Sequence, residues 1–162
     1  MYGWSKYVLL IVCCGIAYVL ATCSGCSKTE QTVPLQIVTR QGQDSFDFNV
    51  WVADTPKKAE KGLMYRDSIG DFEGMIFYEK TPKIWSMWMK NTKIPLDMLF
   101  FDENGTIFHI VDKTTPYSEK LIFSSGPAKG VLELKGGSAR RLNIRKGDKI
   151  KSFLLEKKEK QE

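Results

Sequence analysis

Apolar residues in this chain follow two patterns. From Tyr7 to Ala21 (YVLLIVCCGIAYVLA) every residue is apolar or small, and Lys6 is the sole charge before Lys28. The run is shorter than the roughly 20 residues a bilayer-spanning helix needs, so it reads as the core of a signal peptide over residues 1–25. A polar stretch without period (SKTEQTVP) follows, and residues 26–34 read as a tether. From Leu35 onward the apolar positions recur as in short, half-buried strands. In Phe46–Val52 the residues Phe46, Phe48, Val50 and Val52 fall on one face, which sends Trp51 to the other. Asp54-Thr55-Pro56 then opens a run of helix formers that stops at Gly62, a helix of about two turns.

Further strands are expected at Gly74–Tyr78 and Ile84–Met89, with Thr81-Pro82 as the break between them. A hairpin joins Leu96–Asp102 to Thr106–Val111 through Asn104-Gly105, a pair suited to the positive φ angles of a tight turn. Strands near Leu121–Ser124, Val131–Leu134 and Lys149–Leu155, a short capped helix within Gly136–Asn143, and a turn at Lys146-Gly147-Asp148 complete the pattern. The whole is mainly β, a β-rich α+β chain: one compact, small barrel-like or sandwich domain with two short helices over residues 35–155, ending in a charged tail, 156–162. The oxygen-rich Asp102–Gly105 does not make a calcium loop. An EF-hand needs a ladder of ligands ending in a glutamate, whereas this segment runs directly into a β-branched and aromatic strand.

Composition changes the picture mainly through cysteine. All four, Cys13, Cys14, Cys23 and Cys26, lie ahead of the domain, so the domain has no disulfide frame, cysteine zinc site or thiol nucleophile. The segment Leu20-Ala21-Thr22-Cys23-Ser24-Gly25-Cys26 resembles the lipobox of bacterial lipoproteins. That resemblance implies lipid attachment at Cys26, which follows the small pair Ser24-Gly25, or at Cys23, which has Leu20 three places before it. Plain cleavage near Ala21 and an uncleaved anchor are the alternatives. Each places the domain outside the cytoplasm, in the periplasm or at the cell surface, with membrane lipid as its first partner. The net charge of +5 falls to +4 once Lys6 is removed, and no basic run with interleaved aromatics suggests nucleic acid.

A series of blocks carries a second resemblance: Gly62-Leu63-Met64-Tyr65-Arg66, Gly74-Met75-Ile76-Phe77, Trp88-Met89-Lys90-Asn91-Thr92-Lys93-Ile94-Pro95-Leu96-Asp97, Leu132-Glu133-Leu134 and Lys146-Gly147-Asp148. Over roughly Asn49–Ile150 the chain resembles the family called domain of unknown function 192. The resemblance implies a small, mostly β, barrel-like protein, often exported, with no established activity or cofactor. Met87 stands where a phenylalanine is expected before the Trp-Met-Lys-Asn-Thr run.

Three kinds of chemistry can be written for these residues. In a binding module, Arg66 and Lys90 hold the negative part of a small polar, anionic or carbohydrate-like ligand, Trp88 stacks on its flat part, and Asn91 and Thr92 supply hydrogen bonds, with Asp97 and Glu133 as the remaining candidate binding residues. The same residues would form a purely structural network if Arg66 and Lys90 instead paired with the acids Asp97 and Glu133, since charges near a core must be compensated. An enzyme would use Asp97 and Glu133 as a carboxylate pair, roughly 5 to 9.5 Å apart across an open cleft. Finally, the thioethers of Met87 and Met89, with the lone His109 as a third ligand, could hold Cu(I), although methionine on an apolar strand usually fills a core.

Overall fold

The computed structural model describes residues 30–156. The signal segment, both candidate lipid-attachment cysteines and the tail beyond Glu156 lie outside the described residues. Nine strands and three short helices follow one another as β1 (Thr32–Val38), β2 (Ser45–Val52), α1 (Pro56–Lys61), β3 (Glu73–Lys83), β4 (Ser86–Met87), β5 (Leu96–Phe101), β6 (Ile107–Val111), β7 (Ile122–Phe123), β8 (Ala128–Lys135), α2 (Ser138–Arg141), β9 (Lys149–Lys151) and α3 (Phe153–Glu156). Seven strands form one curled sheet in the order β6-β5-β8-β3-β2-β1-β9, and β4 pairs with β7 alone. The sheet is antiparallel except where β3 lies parallel beside β2, a pairing that needs the crossover through α1. Its two outer strands meet: Thr106 bridges Lys149, and the Ile107 N–H donates to the Asp148 carbonyl at 2.8 Å. This contact covers backbone groups that an open sheet would leave unpaired.

Alternation along the strands gives the sheet two apolar faces. The enclosed face gathers Leu35, Ile37, Phe48, Val50, Ile76, Leu99, Phe101, Ile107, Leu132, Leu134 and Ile150, so all seven strands contribute. The outer face is buried chiefly over β5, β8 and β3, where Met75, Phe77, Leu96, Met98, Phe100 and Val131 lie under Leu63, Ile69, Trp85 and Met89 from the intervening loops, with Trp51 of β2 and Phe108 and Val111 of β6 at its margins. A residue and its neighbour on one strand therefore serve different cores. This is why β5 is buried at every position, from Leu96 to Phe101.

Several elements differ from the sequence pattern. β1 begins at Thr32, inside the stretch read as a tether. β3 runs through Thr81-Pro82 with a register shift between Tyr78 and Lys83, so proline marks an irregularity and not the strand's end. The strand expected at Ile84–Met89 shrinks to Ser86–Met87, held by Phe123 and Ile122 of β7. The last strand stops at Lys151, because the Ser152 hydroxyl accepts the Leu154 N–H at 3.4 Å and starts α3, which packs Leu154 and Leu155 on the enclosed core. In the β5–β6 hairpin only Gly105 takes a positive φ, 73°; the Asp102 carboxylate accepts the N–H groups of Asn104 and Thr106 at 2.9 and 2.8 Å and closes the turn. Among the described residues no helix is long and apolar enough to cross a membrane.

Candidate functional site

The outer face of the sheet carries one acid among its apolar side chains. Glu133 in β8 lies between Met75 of β3 and Met98 of β5 in the strand register and is 4% exposed. Above it a cavity of about 340 Å³ opens between two walls. One wall is the end of α1 and the chain that follows, from Lys61 to Met64; the other is the stretch Lys83–Trp88, with Phe77 and Thr92 completing the lining. The first wall exists because α1 is stopped sharply. Thr55 accepts the Lys58 N–H at the helix start, Pro56 occupies the first turn, and Gly62 turns the chain away at a φ of 48°, a backbone region that favours glycine. The second wall is fastened by Trp85, whose indole N–H donates to the Ala128 carbonyl at 3.0 Å and whose backbone N–H donates to the Ser124 hydroxyl, also at 3.0 Å. Trp85 is thereby buried, while Trp88, three residues on, remains 40% exposed at the cavity mouth.

The Glu133 carboxyl makes no hydrogen bond or ion pair with any described residue. No fully occluded side-chain oxygen in the described domain lacks a partner, so the access this carboxyl retains is to the cavity it lines. Burial alone pushes its pKa up to about 8. At neutral pH the group is therefore largely a neutral acid, able to donate one hydrogen bond as well as accept.

Asp97, the other acid of the matched blocks, is spent on structure. It sits opposite Leu134 in the register, on the enclosed face, whereas Glu133 sits opposite Met98 on the outer face. Its carboxylate accepts the N–H groups of Lys113, Gly137 and Ala139, each at 2.8 Å. The cap expected for the helix near residue 138 thus comes from a distant strand: Gly137, the capping position, offers no side chain, and Asp97 takes its place. The two acids are separated by the sheet, so the carboxylate-pair enzyme is ruled out in this arrangement. The pairing of Arg66 and Lys90 with these acids is also corrected. Arg66 lies 3.7 Å over the Trp51 ring and pairs with Glu30, and Lys90 lies over the Trp88 ring at 5.1 Å. A hydrogen bond to carboxylate or stacking on indole satisfies each cation without entering the core.

The remaining candidates divide in the same way. Thr92 lines the cavity, and its hydroxyl donates to the Lys90 carbonyl at 3.1 Å. Asn91 is a fastener: at a φ of 54° its amide donates to the Tyr65 hydroxyl at 2.8 Å, and its carbonyl accepts the Tyr65 N–H. Of the residues singled out for binding, the cavity brings together Trp88, Thr92 and Glu133; Arg66, Lys90, Asn91 and Asp97 are not among its lining. For soft metal, Met87 lines the cavity, but Met89 is fully buried and its sulfur accepts the Thr114 hydroxyl at 3.1 Å. His109 stacks on Phe100 at 5.2 Å and accepts the Ser125 N–H, with burial and then Lys146 holding its pKa below the usual imidazole value. The three do not converge on one site.

Lining residues such as Leu63, Met64, Phe77, Lys83 and Trp85 were not legible as site residues. Strand alternation put Trp85 and Trp88 on opposite faces, and only the shortness of β4 lets both border one cavity.

Comparison with known proteins agrees with the architecture. The DUF192 family model, described as an uncharacterized ACR, matches residues 36–152. A crystal structure of a protein described as a proposed transcription regulator, from Sinorhizobium meliloti 1021, is 38% identical, with a TM-score of 0.72 over 75% of this chain and 94% of that one. A protein of unknown function from Novosphingobium aromaticivorans DSM 12444 is 37% identical, with a TM-score of 0.72 over 79% of this chain and 90% of that one. No curated protein matches the chain.

Proposed function

This chain belongs to the DUF192 family, and within that uncharacterised family we propose that it is an exported, lipid-anchored binding module whose outer-face cavity holds a small organic ligand. The observation that carries this reading is Glu133, a carboxyl 4% exposed and without a partner among the described residues, on the wall of a cavity of about 340 Å³. An acid left unsatisfied in an apolar surface costs several kcal/mol unless something supplies the missing hydrogen bonds. A bound molecule would supply them, with Trp88 as a flat plate at the mouth. The cavity volume suits a compact ligand, at the lower end of the roughly 300–1,000 Å³ range of small-molecule sites.

The anionic ligand anticipated from Arg66 and Lys90 is set aside, since neither lines the cavity and an acid stands on its wall. Nucleic acid is also a poor fit, since the sequence holds no basic run with interleaved aromatics. The lipid anchor and the envelope location rest on the Cys23–Cys26 segment alone. Ligand-observed NMR of the full chain against a panel of sugars, amines and carboxylates tests the binding reading. At least one compound should bind and should lose its signal with Trp88→Ala; a panel with no such compound would count against it. Metabolic labelling with a fatty acid, compared between wild type, Cys26→Ala and Cys23→Ala, tests the anchor.

A further inference from the structure

We infer that the cavity over Glu133 is a site for the ammonium group of a small organic cation. The inference rests on the reading of the cavity as a binding site and adds the chemical class of its occupant. An anion would face the Glu133 carboxyl, and the lysines on the cavity walls, Lys61 and Lys83, are already engaged by Glu30 and Glu79. A neutral hydroxyl would satisfy part of the acid and leave the surrounding rings and thioethers unused. An ammonium group engages both, because it is attracted to a carboxylate and to the faces of Trp rings.

The lining fits that chemistry. Trp85, Trp88, Met64 and Met87 border the cavity, and Met75 and Met98 flank Glu133 along the register. The two tryptophans already attract cations from this chain: Lys83 Nζ lies 4.4 Å from the Trp85 ring centroid and Lys90 Nζ 5.1 Å from that of Trp88. The lysines on the cavity walls are compensated, Lys83 by Glu79 at 2.8 Å and Lys61 by Glu30 at 3.5 Å, and Glu60 adds another carboxylate to the lining. The mouth therefore does not repel a cation as the raw count of lysines would suggest.

Binding of a cation is coupled to a proton. The charged groups around Glu133 are Glu60 and Lys61 on α1, Lys83 on β3, and on its own strand Lys129, which donates to the Lys80 carbonyl, and Lys135, which pairs with Asp71. Burial is nevertheless what raises the acid's pKa, to about 8. Below that value a cation must displace the acid's proton into solvent, and its affinity falls tenfold for each pH unit.

Titration calorimetry of the full chain with tetramethylammonium tests this, because the probe's own charge does not change with pH. Binding should tighten about 100-fold between about pH 6 and about pH 9, with close to one proton released per cation at the acid end. Glu133→Gln, which keeps the shape and removes the charge, should abolish binding with a melting temperature no lower than that of wild type, and Trp88→Ala should weaken it several-fold. Tetramethylammonium that fails to bind, binds without pH dependence, or binds Glu133→Gln equally well would overturn the inference. Methyl glucoside, an uncharged probe, separates the two readings: its binding in the absence of cation binding would leave the cavity a binding site but not a cation site, and binding of neither probe would count against both.

Discussion

Asp97 and Glu133 stand on adjacent strands of one sheet, 0% and 4% exposed, and they could hardly be placed more differently. Asp97 faces the enclosed core and receives three backbone N–H groups, which fix the β5–β6 side of the sheet to the start of α2. Glu133 faces the outer layer and receives none from the described residues. Burial alone does not distinguish the two acids; the partners do. A carboxylate that accepts several N–H groups works as a cap, whereas a buried one with no such partner is driven toward the neutral acid.

The comparison can be broken most forcefully at Asp97. Asp97→Ala strands three backbone N–H donors around a fully buried position and should destabilise the fold by about 3–5 kcal/mol in urea unfolding, close to the whole stability of many small domains. A loss below about 1 kcal/mol would mean that the caps re-form elsewhere.

Glu133 should act in the opposite sense, through pH. Its folded pKa of about 8 lies above the ordinary carboxyl value of 4.5, so the folded state holds the proton more tightly between those two values. The stability linked to this group is full below about pH 4.5, declines as pH rises, and is gone above about pH 8, a change of roughly 3 kcal/mol after allowing for relaxation of the site. Glu133→Gln should flatten this slope and be more stable than wild type near pH 8. Urea midpoints measured across that range check both points.

Smaller effects sharpen the contrast between the cavity walls and the exposed surface. Trp85→Phe loses the indole bond to Ala128 while keeping the ring's bulk, and should cost about 1 kcal/mol in thermal or urea unfolding. Arg140→Ala breaks an exposed pair with Asp112 and should cost no more than about 0.5 kcal/mol.

Much of this fold was legible because its alternation is regular. Phe46, Phe48, Val50 and Val52 share the enclosed face as their spacing requires, and Thr55-Pro56 with Gly62 marks both ends of α1. The signals failed where a long-range contact overrides a local pattern. Lys149–Leu155 alternates like a strand, yet Ser152 and the packing of Leu154 and Leu155 turn its end into a helix. Of the candidate site residues read from the sequence, Trp88, Thr92 and Glu133 line one cavity, while the opposite faces of Asp97 and Glu133 depend on the register of β5 against β8, which no local spacing reveals. Arg66 finds Trp51 and Glu30 across the chain for the same reason.

Glu133 is a buried acid with no partner among the described residues, and on the proposed reading a ligand supplies that partner. Its pKa, read from the side-chain carboxyl carbon by NMR titration of the full chain, tests this most directly. A value near 8 without ligand, moving down when tetramethylammonium is added, is the expected result. A value near the ordinary 4.5, unmoved by the cation, would mean that the acid is already satisfied and has no need of a ligand.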